Sequence, residues 1–270
     1  MPQGFEITEF KTRLTRAQSR MDAADLDAIL LTTEPDIRYF TGYLTRFWES
    51  PCRPWFLVVP RSGDPIAVIP SIGAALMART WITDIRTWRA PDLEDDGISL
   101  LAETLRDIGP RIGTPSGLQS HLRMPLGDFA RLNAALPQPI GADADILHSL
   151  RLVKSEAEIE KIRTACRIAT RAFERVPEIA RIGQPLAPVF RDFQRLCLDE
   201  GADWLPYLAG AAAPSASSSS VSGPSKATPV SIAATIWARA DLASVSRAAA
   251  AVAAATSAAA VWAAFSSSEA

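Results

Sequence analysis

A change of composition within a few residues of Gly210 limits what this chain can fold into more than any motif does. Residues 1–210 hold 53 charged residues and 13 of the 14 glycines, whereas residues 211–270 hold five charges and one glycine. In that last stretch 23 Ala and 14 Ser fill 37 of 60 positions. A segment so poor in large apolar side chains cannot offset the entropy of ordering its backbone, so it is not expected to build a packed core. The 48% hydrophobic content of the whole chain is inflated by this alanine. The length usable for a core is then nearer about 150 residues than the full chain, enough for one domain.

Three readings of the segment compete. It is a flexible Ala/Ser/Pro linker or tail, a membrane anchor, or the product of a shifted reading frame in GC-rich coding DNA. For the anchor, Ala248 to Ser268 carries no charge; against it, only Val252, Val261, Trp262 and Phe265 are strongly apolar there.

The remaining composition excludes several classes of function. Lys and Arg number 28 against 30 Asp and Glu, for a net charge of −2. A nucleic-acid binder would show a basic excess. Three cysteines, Cys52, Cys166 and Cys197, have neither CxxC nor zinc-finger spacing and read as reduced, buried thiols of a cytoplasmic protein. The first residues, MPQGFEITEFKTRL, are charged throughout and contain no apolar signal-peptide core.

Up to about residue 150 the pattern alternates between helix and strand periods. Phe10, Leu14, Ala17 and Met21 predict a helix over 8–23, and DAILLT (27–32) a buried strand. Glu34-Pro35 reads as a turn, and DIRYFTG as a helical turn closed by Gly42. WFLVVP (55–60) and PIAVIP (65–70) are strands joined by an RSGD hairpin turn, followed by a helix over 71–80 and a strand at 82–88. Helices are expected at 97–109 and 125–136, with a short strand at RIGTP between them. Ser155 and Glu158 form a capping box ahead of an apolar stripe of Ile159, Ile162, Ala165, Cys166, Ala169 and Phe173. This helix is expected over 155–181, and another over 186–200, ending at Gly201. An α/β domain over 1–150, a helical segment over 151–210 and a disordered or non-native tail over 211–270 follow.

Chemistry is sparse. There is no GxGxxG or GxxxxGK[ST] nucleotide fingerprint. Two histidines, His121 and His148, are too few for a multi-histidine metal site, and His148 in ILHSLR reads as structural. Asp143 and Asp145 have the spacing of metal-bridging aspartates on one strand face, but no second cluster follows, which favours a solvated loop. Glu94, Asp95 and Asp96 suit a helix N-terminus. The segment YFTGYLTRFWESPCR (39–53) resists a purely structural reading. Arginines beside aromatic rings suit a carboxylate or planar ligand, although a loop packed by its own aromatics fits equally.

PDIRYFTGY (35–43), preceded by a helix and DAILLT, resembles the N-terminal domain of the creatinase and Xaa-Pro aminopeptidase family. LRLVKSEAEIEKIRTACRIATRAF (150–173) resembles the segment joining that domain to the family's pita-bread catalytic domain. EDDGISLLAETL and HLRMPLGDF are similar to the bacterial Xaa-Pro-peptidase-like and ectoine-hydrolase-like branch. The resemblance runs over residues ~10–210 in order.

It implies a creatinase-type N-terminal α/β domain followed by helices of an incomplete pita-bread (α+β) domain and a low-complexity tail. It also implies a homodimeric, cytoplasmic amide hydrolase acting on small peptides or amides, with no nucleic-acid or membrane partner. Metallopeptidases of the family hold two divalent ions (Mn, Co or Zn) on two Asp, one His and two Glu, which activate a water. Creatinase uses a His without metal. In some members the loop after the YxxG motif reaches the neighbouring subunit's active site, which would make Arg46, Trp48 and Arg53 substrate contacts. After PYLAG the resemblance stops. Residues 211–270 contain no His, one Asp (Asp241) and one Glu (Glu269), so the five ligands cannot be assembled there. The expectation is a truncated, frame-shifted and inactive member with no catalytic or metal residues of its own. The alternative is a non-catalytic dimerisation or small-ligand-binding module.

Overall fold

The computed structural model describes residues 4–50, 53–181, 184–205, 208–214 and 230–236. Cys52 and the anchor candidate Ala248 to Ser268 lie outside these. Contacts divide the chain into two compact units, Met1–Val153 and Lys154–Ala270.

In the first unit, α1 (Ile7–Ala23) buries Phe10, Leu14, Ala17 and Met21, the residues its periodicity singled out. It leads to β1 (Ala28–Leu31), buried at every position. Glu34-Pro35 opens α2 (Glu34–Thr41) instead of making a turn, because a proline in the first helical turn gives up an amide that has no partner there anyway. Gly42 ends α2 at φ +72°, and a Cβ on it would lie 2.8 Å from the Phe10 ring. A 3₁₀ turn (Arg46–Glu49) precedes β2 (Phe56–Pro60) and β3 (Ile66–Pro70). A further 3₁₀ turn (Ser71–Gly73) and α3 (Ala74–Met77) lead into β4 (Asp84–Trp88). Then come α4 (Ile98–Ile108), β5 (Ile112–Thr114), α5 (Leu126–Ala135), β6 (Gly141–Ala142) and α6 (Ile146–Leu152).

The six strands form one sheet in the order β4-β3-β2-β1-β5-β6. β2 runs antiparallel to both its neighbours and every other pair is parallel. Both faces are covered. Ile29, Leu31, Leu57 and Val59 point into a core shared with α1, α2 and α6. Ala28, Leu30, Phe56 and Val58 join the opposite core with α4 and Leu132 of α5. Burial on two faces explains why β1 and β2 read as unbroken apolar runs rather than alternating ones. The result is an α/β fold with helices on both sides of a mixed sheet.

At one end of the sheet Asp27 binds Arg61 (2.9 Å) and Arg111 (2.7 Å), while Asp25 binds Arg111 (2.5 Å). The Arg111 hydrogen bonds hold the Asp27 carboxyl below its ordinary value, against the opposing effect of burial. A carboxylate with a depressed pKa in the folded state stabilises above its unfolded pKa, and that contribution disappears as pH falls through the folded value. Asp27→Asn is therefore expected to lower stability near neutrality, where the ionised carboxylate contributes, and to flatten the acid limb below about pH 4, where the two proteins converge. Thermal unfolding of both proteins between pH 2 and 7 checks this; parallel acid limbs would contradict it.

In the second unit, α7 (Glu156–Glu174) starts at the expected capping box, with Ser155 Oγ accepting from the Glu158 amide. It ends earlier than its periodicity suggests. Pro177 cannot donate to the carbonyl four residues back, so the chain re-starts as α8 (Val176–Ile179). α9 (Leu186–Asp199) packs Phe193, Leu196 and Cys197 against Ala172, and Gly201 follows at φ +105°. β7 (Leu208–Pro214) pairs antiparallel with β8 (Val230–Ile236), from Leu208 opposite Ile236 to Pro214 opposite Val230. Composition offers no reason to expect a ladder beyond Gly210; such ladders join backbone groups and need no large side chains.

Of the two thiols described, Cys197 is buried, and burial pushes it up to about 11; Cys166 is exposed, contrary to the expectation of buried cysteines.

Candidate functional site

The aromatic loop after α2 is built from local hydrogen bonds. Thr41 Oγ1 donates to the Ile37 carbonyl and accepts the Tyr43 amide at 2.9 Å, steering the chain out of the helix. Thr45 Oγ1 accepts the Phe47 amide and starts the 3₁₀ turn. The rings of Tyr43, Trp48 and Trp55 then cluster with centroids 5.6 to 6.3 Å apart, and Phe47 stacks on Trp55 at 6.1 Å. Gly73 makes room for them, since a Cβ there would fall 2.2 Å from the Trp55 ring. Burial pushes the Tyr43 phenol up to about 12, so it stays protonated. The indole N–H groups of Trp48 and Trp55 are buried without a hydrogen-bond partner among the described residues.

Each sequence candidate has a different setting. Trp48 packs inward at 9% exposure. Arg46 faces solvent and binds Glu49 at 2.6 Å. Arg53 is half-buried, and its carbonyl accepts a hydrogen bond from Arg123. Arg123 is the residue that sequence reasoning missed. Its guanidinium also donates to the Ser50 carbonyl and lies 5.2 Å from the centre of the Trp48 ring, while its backbone amide donates to Thr32 Oγ1. Nothing in HLRMPLGDF marks this arginine, because its partners stand some seventy residues earlier in the chain.

A second polar group lies at the carboxyl ends of β1 and β6. Thr33 Oγ1 donates to Asp36 Oδ2 at 2.6 Å, and Arg151 from α6 donates to Asp36 Oδ1. Asp143 is not in a solvated loop. It is 4% exposed, and its carboxylate accepts the amides of Asp145 (3.2 Å) and Leu147 (2.9 Å) at the start of α6. Burial raises its pKa despite these two amides. Asp145 points outward and contacts His148 Nδ1 at 3.2 Å. The Asp143/Asp145 pair thus caps a helix instead of converging on an ion. The Glu94–Asp96 run behaves as expected: Asp95 accepts the Ile98 and Ser99 amides at the start of α4.

Among the described residues no group of three or more His, Cys, Asp or Glu could hold a metal ion. These side chains do not fit the two-ion centre of the metallopeptidases, which needs five converging donors. Nor is any helix among them long and apolar enough to cross a membrane.

Over residues 13–163 the sequence matches the family described as the creatinase/prolidase N-terminal domain. The uncharacterised hydrolase/peptidase y4tM of Sinorhizobium fredii is 29% identical over 186 residues, which cover 66% of this chain and 47% of that protein. The probable dipeptidase PepE of Mycobacterium bovis is 25% identical over 198 residues, 73% of this chain and 50% of its own. The crystal structure of dipeptidase PepE from Mycobacterium ulcerans superposes with a TM-score of 0.62 at 26% identity, covering 77% of this chain and 54% of that one. The chain spans about half the length of the curated relatives it matches.

Proposed function

Since the chain belongs to the creatinase/prolidase N-terminal domain family, we propose that it is the non-cleaving part of a cytoplasmic hydrolase for small peptides of the Xaa-Pro type. The observation that carries this reading is the match over 13–163, together with a dipeptidase likeness in both sequence and fold. In this reading the first unit supports a homodimer. Its loop around Arg46, Trp48 and Arg53 borders the substrate, with the exposed Arg46 as the group best placed to meet a carboxylate. Metal-activated water would be supplied from outside residues 1–210, because the donors described do not converge.

The 270-residue chain is therefore expected to give no turnover of Xaa-Pro dipeptides above background with Mn²⁺ or Co²⁺. Turnover would overturn the assignment of a non-cleaving role. A fusion of residues 1–205 to the second half of a PepE dipeptidase tests the family activity itself. It is expected to cleave Xaa-Pro dipeptides, and Arg46→Ala in it to raise KM more than it lowers kcat. A folded fusion indifferent to Arg46→Ala would remove Arg46 from the substrate.

A further inference from the structure

We propose that the aromatic cluster beside β2 is a docking face for a proline-rich segment in the polyproline-II conformation. Tyr43, Trp48 and Trp55 bring three rings together, and Phe47 stacks on Trp55 with the ring planes 23° apart. Exposed apolar side chains border this cluster. Leu44 follows Tyr43 and is 51% exposed, and Phe47 keeps 39% of its surface. Ile72 and Leu76, at 52% and 37%, flank Gly73, the residue that lies against the Trp55 ring. Lone exposed apolar residues are ordinary, whereas several around one group of rings mark a place where another apolar surface sits.

Hydrogen bonding decides the occupant. The indole N–H groups of Trp48 and Trp55 can only donate, both side chains are at least nine-tenths buried, and neither N–H has a partner among the described residues. A buried donor of this kind calls for an acceptor. The loop's arginines are already engaged, Arg46 with Glu49 and Arg123 with the Ser50 and Arg53 carbonyls, so the unmet demand is for neutral acceptors. A helix spends its carbonyls on itself, and an added strand needs an open sheet edge, whereas β2 and β3 have strands on both sides. A polyproline-II segment has no internal hydrogen bonds, its prolines carry carbonyls without N–H groups, and its rings dock on aromatic faces. It matches a face made of rings and unfilled donors. Phe47 stands where an incoming prolyl ring would stack on Trp55. Its 3₁₀ turn is closed by hydrogen bonds of 3.1 to 3.4 Å. These are longer than the ordinary value of about 2.9–3.0 Å, so Phe47 is the ring that yields and uncovers the indoles.

This face does not depend on the hydrolase reading, because it concerns binding by the whole chain and no turnover. Acetylated, amidated octaproline should bind saturably in calorimetry, and a Gly/Ser peptide of the same length should not. On binding, the indole N–H resonances of Trp48 and Trp55, assigned with Trp48→Phe and Trp55→Phe, should move downfield. Those of Trp81 and Trp88, whose N–H groups already have acceptors, should stay in place. Ile72→Ser, at an exposed position, should weaken binding about fivefold, with far-UV circular dichroism unchanged. Phe47→Ala should tighten binding at least about twofold, since no ring has to be displaced first; loss of a merely structural side chain would act in the other direction. Absence of binding, equal binding of the Gly/Ser peptide, or static Trp48 and Trp55 resonances would each overturn the proposal. So would an affinity indifferent to Ile72→Ser or not raised by Phe47→Ala.

Discussion

Arg123→Ala is expected to free the aromatic loop while leaving the sheet intact. The guanidinium satisfies the carbonyls of Ser50 and Arg53 and covers the Trp48 ring, so its removal strands two acceptors and exposes an indole. Hydrogen bonds from a charged donor contribute about 1.5–3 kcal/mol each, and part of that returns when water reaches the carbonyls, so a net loss of about 3 kcal/mol is expected. Tryptophan emission should shift to the red, acrylamide quenching should rise, and amide exchange should speed up at residues 45–50 and 53–55. Arg123→Lys should not restore the wild-type values, because one ammonium cannot reproduce a planar fork reaching two carbonyls. Unchanged quenching in a folded Arg123→Ala protein would show that the loop is held by its own aromatic packing. The same loop carries Arg46, so this variant also separates loop order from substrate contact in the fusion enzyme.

Asp36→Ala is expected to cost more. Asp36 and Arg151 have side chains only 10% and 19% exposed, and the aspartate also accepts the Thr33 hydroxyl. Removing one partner of a buried ion pair leaves the other charge desolvated, typically at about 3–5 kcal/mol. Urea unfolding should show this as a lower midpoint at unchanged slope. Asp36→Asn keeps an acceptor for Thr33 and should lose about half as much. A loss below about 1 kcal/mol for Asp36→Ala would mean that Arg151 finds water or another acceptor when unpaired.

Both residues show where sequence reading stops. Arg123 and Arg151 look like any other arginines in HLRMPLGDF and ILHSLRL, and their partners lie 70 to 115 positions away. In the sequence Asp143 reads as solvated because no second cluster of His or Glu follows the Asp143/Asp145 pair. The chain leaves the strand at once, and Ala144 and Asp145, at φ +53° and +59°, turn it so that Asp143 caps α6. Trp48 was legible as an aromatic beside arginines, but whether it faced a ligand or the core depended on Trp55 and on the space left by Gly73.

The sequence by itself determined several local elements of the first 200 residues. The apolar period of α1, the capping box of α7, the unbroken runs of β1 and β2 and the glycine stop at Gly42 each follow from interactions within about four residues, or from burial on a whole face. It also established that residues 211–270 carry too few acidic and histidine side chains to complete a metal centre. The tertiary structure decided the strand order, with β2 reversed between β1 and β3, and the places where Arg123, Arg151 and Asp143 find partners. It also decided that α9 packs on α7 at Ala172 and Phe173 and that Cys166 stays exposed. These outcomes depend on pairings between distant segments, and a side chain's local neighbours carry no record of which distant backbone it will meet.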